Sequence, residues 1–241
     1  MAALILTNAG CAQRAARPTP VRAPETRIIP TGLHWYLTSA EKLAVHEQIY
    51  RYAADQILQN TANRKAGSWA VIADADETLL DNVEYQLWLA QSSQRYTEET
   101  WQPWVRKRRS VAVPGSRRFV ERIVAAGGRI VVVTNRQQPI CEDTAANLAS
   151  ERLTVEGVLC AQIDPGTGKS LNDKNPRFAA VQNGTALPGL PALEVVAWIG
   201  DNIGDFPGRS QQNSGPIGDF GRKFFILPNP MYGSWEGLPV P

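Results

Sequence analysis

The chain has 241 residues, 43% of them hydrophobic, with 25 basic and 23 acidic side chains and a formal net charge of +2. This composition suits a globular protein that buries a full core, read as one α/β domain with a smaller appendage. A charge so near zero gives no footing for a nucleic acid polymer, and no apolar run reaches the ~20 residues needed to cross a bilayer.

Ala2 to Leu6 is a short apolar stub, followed by Asn8-Ala9-Gly10-Cys11 and a Pro- and Arg-rich stretch from Arg17 to Pro24. Small residues leading to a cysteine resemble a bacterial lipoprotein signal, with Cys11 as candidate lipid anchor. That implies a bacterial cell-envelope location, either periplasmic or as an outer-membrane or surface lipoprotein. The stretch lacks a basic start, its apolar part is shorter than the ~7–15 residues of a signal core, and Asn8 stands where such signals carry an aliphatic residue. The expectation is a truncated signal and disordered linker over residues 1–30, with the folded domain over 31–241. If Cys11 carries a lipid, Cys141 and Cys160 are left either as a disulfide in an oxidising compartment or as two buried thiols.

Apolar residues at helical spacing predict an amphipathic helix from Ser39 to about Asn60. A first strand, Ser68 to Asp74, runs into an abrupt acidic cluster of Asp74, Asp76, Glu77 and Asp81. A buried strand ending in carboxylates is unfavourable unless the charges are paired or hold a metal; the plainer alternative is an acidic, helix-capping turn. Residues 79–113 carry many aromatics and no strand signal, and read as a helical, cap-like insertion over the end of that strand. Its basic run, Arg106 to Arg109, is either a solvated helix face or an aid in attracting an anion. Beyond the Val113-Pro114-Gly115 turn, the pattern predicts a helix from Ser116 to Ala126 and a strand from Arg129 to Thr134. A helix from about Ile140 to Arg152 and a strand from Gly157 to Cys160 come next. A helix starting at Pro176, strands at Glu194–Ile199 and Lys223–Leu227, and a Pro- and Gly-rich tail complete the chain. Strands separated by helices imply an α/β fold: a Rossmann-like parallel sheet with helices on both faces, a small helical insertion after the first strand and an N-terminal helical extension. No GxGxxG follows the first strand, which disfavours a dinucleotide site.

Parallel strands place their carboxyl ends on one edge, so groups far apart in sequence can converge. The groups so placed are Asp74 and Asp76, then Thr134, Asn135 and Arg136, then Asp201 and Asp205, with Lys174 opening a helix between them. In that order they resemble the haloacid dehalogenase superfamily of phosphatases, and more narrowly its class B and class C acid phosphatases and surface-lipoprotein 5′-nucleotidases. The motifs that carry the resemblance are Asp74-Ala75-Asp76-Glu77-Thr78-x-Leu80-Asp81-Asn82, Val113-Pro114-Gly115, Val133-Thr134-Asn135-Arg136, Lys174-x-Pro176-Arg177-Phe178 and Gly200-Asp201-Asn202-x-x-Asp205-Phe206. A carboxyl-terminal signature runs from Leu227 to Glu236.

The resemblance implies a magnesium-dependent phosphomonoesterase acting on small phosphomonoesters. Asp74 would be the nucleophile, Asp76 the acid and then base, and Lys174 the balancing cation. Mg2+ would be held by Asp74, the backbone carbonyl of Asp76 and Asp201, with Asp205 in support. Thr134 and the backbone of Asn135 would donate to phosphate oxygens, while Trp88 and Tyr232 would lie near the leaving group. Stacking there suits nucleoside monophosphates, with phosphomonoesters at large as the alternative. A surface lipoprotein that keeps the fold only to bind a ligand is the competing reading; such a module has no need for the full set of Asp74, Asp76, Lys174 and Asp201. Histidine-based phosphatases are disfavoured because only His34 and His46 exist, both before the first strand. Gly166-Thr167-Gly168-Lys169-Ser170 lacks the first glycine of a P-loop, with Ile163 in its place, and Lys169 competes with Lys174 for the lysine role. Nothing in the chain sets an oligomeric state.

Overall fold

The computed structural model describes residues 29–240; the expectations for Cys11 and the linker lie outside that range. The architecture is a five-stranded, all-parallel sheet in the order β5-β4-β1-β6-β7. Its strands are β1 (Trp69–Ala73), β4 (Arg129–Gln137), β5 (Gly157–Ala161), β6 (Glu194–Gly200) and β7 (Phe224–Ile226). The chain steps outward from β1 to β4 and β5, then returns past β1 to β6 and β7. The strand order therefore reverses beside the carboxyl end of β1, where open α/β sheets bind ligands.

Every residue of β1 is buried, and successive side chains point to opposite faces. Val71 and Ala73 join the core formed with Tyr50, Ile57, Phe119, Ile123 and Leu148. Ala70 and Ile72 join the other, with Phe178, Val181, Trp198 and Phe224. Helices α2 (Ala40–Thr61), α5 (Ser116–Ala125) and α6 (Cys141–Ser150) thus cover one face, and α7 (Asn175–Asn183) covers the other. Ser39 caps α2 by accepting the Lys42 N–H. Gly115, at φ +88°, turns the chain into α5; a Cβ there would lie 2.9 Å from Tyr50 Cδ2.

Two local features depart from the sequence expectation. A short helix α1 (Thr31–Thr38) precedes α2. It buries only Leu33 and Tyr36, too few positions to register as a period, and Gly32 lets it pass so close to the Pro230 carbonyl that a Cβ would sit 1.9 Å from it. The insertion is also not purely helical. Its helices α3 (Val83–Ser92) and α4 (Glu98–Arg106) are closed by an antiparallel ribbon of β2 (Leu80–Asp81) and β3 (Val111–Ala112). Two residues per strand are too few for alternation to show. Tyr85, Leu89, Trp101, Trp104 and Val105 of the insertion form a separate core with Ile140, from the turn that follows β4. Cys141 and Cys160 form a disulfide that ties α6 to β5. No helix among the described residues is long and apolar enough to cross a membrane.

Candidate active site

The turn after β1 is built by its own backbone. The Leu79 and Leu80 N–H groups donate to the Ala75 carbonyl, and Glu77 donates to Leu80 O. Glu77 takes the left-handed conformation (φ 50°), unusual for a residue with a Cβ. The Tyr50 hydroxyl, from α2, donates to the Thr78 carbonyl beneath the turn. Asp74 and Asp76 leave this turn in different directions and enter different surroundings.

Asp74 meets Asp201 and Asp205, from the end of β6 and the turn that follows; one carboxylate oxygen of each lies within 4.8 Å of the others. Lys174, at the N-terminus of α7 and 4% exposed, donates to Asp74 Oδ1 at 2.5 Å and Asp205 Oδ1 at 2.7 Å. The other Asp205 oxygen accepts the Asn202 N–H at 2.9 Å, so both of its oxygens are engaged. Gly200 makes this possible, since a Cβ there would lie 2.3 Å from Asp205 Oδ2. Asp201 accepts from Asn229 Nδ2 at 2.8 Å and, at 3.4 Å, from the Thr78 hydroxyl.

Three carboxylates around one ammonium leave this pocket short of positive charge. Burial pushes the Asp74 carboxyl up to about 7; Lys174 works against that, while Asp205 and Asp76 add to it. Burial also drives Asp201 well above the usual carboxylate range, with Asp205 and Asp74 adding to the shift. For Lys174, burial alone would lower the pKa, but the Asp205 and Asp74 carboxylates outweigh it and hold the ammonium charged. With all three carboxylates ionised the deficit is two charges, the amount one divalent cation cancels. An all-oxygen donor set of this kind suits a hard cation.

Asp76 is separate. Arg136, whose side chain is fully buried, donates from Nη2 to Asp76 Oδ1 at 2.7 Å and from Nε to both carboxylate oxygens. Asn82 Nδ2 adds a third donor at 2.7 Å. The side chain is thus held by donors that the Asp74 pocket does not share. Glu77, Asp81 and Asn82, motif residues to which the sequence alone assigns no role, hold this turn together. Glu77 is buried and accepts the Asn82 N–H. Asp81 accepts the Val83 N–H and pairs with Lys42 of α2 at 2.7 Å.

Thr134 is buried within β4, which runs three residues past it, and its hydroxyl accepts the Arg136 N–H at 3.1 Å. Asn135 gives its side-chain oxygen to Arg177, which also donates to the carbonyls of Thr134 and Leu159. Arg177 therefore clamps the ends of β4 and β5 to α7. Both Arg136 and Arg177 stand in the quoted motifs, yet their pairing depends on tertiary contacts that spacing does not reveal. Lys169 is exposed, in a turn where Asp164 accepts the Gly166 and Thr167 N–H groups; Lys174 alone reaches the carboxylates. Arg108 and Arg109 of the basic run are paired with Asp143 and Glu84. Trp88 on α3 is 45% exposed and stacks on Tyr85. It lines a groove of about 330 Å³ with Tyr85, Trp104 and Lys107. Tyr232 is half-buried in the tail, does not line that groove, and neither aromatic side chain enters the hydrogen-bond network of the carboxylates.

A family model described as HAD superfamily, subfamily IIIB (acid phosphatase), matches residues 5–235. The solved class C acid phosphatase from Bacillus anthracis is 29% identical, with 86% of this chain and 85% of that chain covered at a TM-score of 0.73. A second structure of it, with tungstate bound, has the same identity and coverage and a TM-score of 0.72.

Proposed function

The chain belongs to the acid phosphatases of the HAD superfamily, subfamily IIIB, and is a phosphomonoesterase; from that premise we propose that it works through a phosphorylated Asp74 and with a magnesium ion. The observation that carries this reading is the Asp74 pocket, where two buried carboxylates, Asp74 and Asp205, share a single lysine and a third, partly buried one, Asp201, stands beside them. Phosphoryl transfer brings a dianion to a carboxylate, and the charge must be neutralised where it develops. Asp74, Asp201 and the backbone carbonyl of Asp76 would hold the ion, with Asp205 supporting Lys174. When bound, magnesium supplies electrostatic stabilisation of the phosphoryl oxygens.

The chain's own residues do the rest. Asp74 Oδ1 is engaged by Lys174, and Oδ2 is the oxygen that attacks phosphorus. The Thr134 hydroxyl, which accepts from Arg136 and keeps its own proton to give, donates to a phosphate oxygen together with the Asn135 backbone N–H. Asp76 protonates the departing oxygen and later accepts a proton from the hydrolytic water. Tungstate in the Bacillus anthracis enzyme, an oxyanion of phosphate-like charge, supports a site that receives such an anion.

As substrates the reading names nucleoside monophosphates. An exposed indole backed by a second ring offers a face on which any base can stack. A cell-envelope location is part of the same reading, supported by a disulfide that persists only under oxidising conditions. Phosphate release measured with magnesium and with chelator, on the wild type and Asp74→Asn, tests the core of it. Activity that survives the chelator or the substitution would sink the mechanism. A panel of nucleoside monophosphates against sugar phosphates, repeated on Trp88→Ala, tests the substrate class.

A further inference from the structure

Asp76 is held by more donors than a carboxylate needs merely to be neutralised. Its Oδ1 accepts Arg136 Nη2 at 2.7 Å, Arg136 Nε at 3.0 Å and Asn82 Nδ2 at 2.7 Å. Its Oδ2 receives only the longer branch of the Nε contact, at 3.2 Å. The side chain keeps 20% of its exposure, while Arg136 keeps none. Oδ1 thus takes three contacts from the protein and Oδ2 a single long one, on a side chain that is not fully covered.

The donors are themselves fixed from behind. Asn82, completely buried, accepts on its side-chain oxygen from Trp104 Nε1 at 3.1 Å, Ser110 Oγ at 2.6 Å and Arg136 Nη2 at 3.3 Å. Three donors on one amide atom identify it as the oxygen, so Nδ2 must face Asp76. Arg136 donates from Nη1 to Thr144 and lies against Trp101, its guanidinium carbon 5.2 Å from the ring centre. Trp104 and Trp101 belong to the insertion and Thr144 to α6, so the insertion sets the geometry of Asp76 both directly, through Asn82, and from behind, through its two tryptophans.

We infer that Arg136 and Asn82 are positioning residues that lock Asp76 in one rotation, committing Oδ1 to the protein and leaving Oδ2 as the oxygen that moves the proton. The inference rests on the reading of Asp76 as acid and base. In the first step Asp74 bonds to phosphorus, the bond from phosphorus to the leaving oxygen breaks, and that oxygen takes the proton from Asp76 Oδ2. In the second, water bonds to phosphorus as the Asp74–phosphorus bond breaks, and its proton returns to Oδ2. A misrotated Asp76 fails most where the leaving group most needs a proton.

The test is the leaving-group dependence of kcat/KM, which covers only the steps through departure of the leaving group. The variants are Asn82→Asp, which preserves the three contacts on the side-chain oxygen but faces Asp76 with an oxygen instead of a donor, and Arg136→Lys, which keeps the charge but loses the fork. A thermal melt of each variant verifies folding, and the second serves if the first fails it. Expected is a loss of roughly 10²-fold on an alkyl phosphate, within the range of general acid catalysis, with 2,4-dinitrophenyl phosphate reduced by no more than about threefold because its leaving group needs no proton. Equal losses on both esters, or none, overturn the inference, provided Asp76→Asn shows the selective loss. If Asp76→Asn itself loses activity equally on both, the acid–base reading fails instead, and this inference falls with it.

Discussion

Asp74 and Asp76 stand two residues apart on one turn and in opposite electrostatic settings. Around Asp74, three carboxylates cluster, two of them sharing one ammonium, and burial raises the Asp74 carboxyl far above its ordinary range. Around Asp76, a buried guanidinium and an amide meet a single carboxylate, and the charge is balanced within the protein. The first pocket is incomplete without something positive from outside; the second is complete in the folded chain. The difference suits the two roles: a nucleophile must stay ready to receive a new bond among charges that change, whereas an acid–base group needs one fixed direction.

Substitutions can break this contrast from either side. Lys174→Met removes the one cation that, among the described residues, hydrogen-bonds to the Asp74 pocket; phosphate release should fall at least about 10³-fold, while the Asp76 cluster, which makes no contact with Lys174, stays intact. The Lys42–Asp81 pair, behind the same turn, is a buried ion pair with no reactive partner. Lys42→Met should therefore lower the unfolding free energy in urea by about 3 kcal/mol, leaving a buried charge unpaired, and folded enzyme should keep its KM. A smaller effect sharpens the contrast thermodynamically. If the Asp74 pocket awaits a divalent cation, magnesium at about 100 times its dissociation constant should add roughly 2.7 kcal/mol, a rise of about 5–10 °C in melting temperature, and Asp201→Asn should lose most of that rise.

The smallest effect concerns pH, away from both carboxylates. His46 is fully buried, edge-on to Tyr36 and facing Lys42 and Asp81. Its Nδ1–H donates to the Lys42 carbonyl, and Nε2 has no partner among the described residues, so a second proton on the ring would find no acceptor. Burial lowers its pKa; the Lys42 carbonyl and the Asp81 charge oppose that, and the Lys42 charge adds to it. Below about 6.5 the unfolded chain takes up a proton that the folded chain refuses, so stability is lost as pH falls through that value until the folded ring titrates. His46→Gln should flatten the stability curve between pH 7 and pH 5, measured by urea unfolding at each pH.

The parts of the site on strand ends are legible in the sequence alone, because apolar β-branched runs stopping at Asp74, Thr134 and Asp201 place those residues on one sheet edge. Lys174 is separable from Lys169 by its motif. The Asp76 cluster is not legible in the same way. Arg136 and Asn82 stand in the quoted motifs, but their partnership joins residues 54 positions apart through side chains, and periodicity carries no information about rotamers. The same holds for α1 and the β2–β3 ribbon, which exist because tertiary neighbours cover them rather than through a local pattern strong enough to announce them.

The rim of the sheet bears on how the protein behaves in a tube. β5 is an edge strand, and edges present unpaired N–H and C=O groups that can template association with another chain. The Cys141–Cys160 bond pins the helix that follows β4 against that edge. In a reducing preparation the pin is gone although the carboxylates lie elsewhere, so colloidal behaviour can change while the turnover of each folded molecule does not.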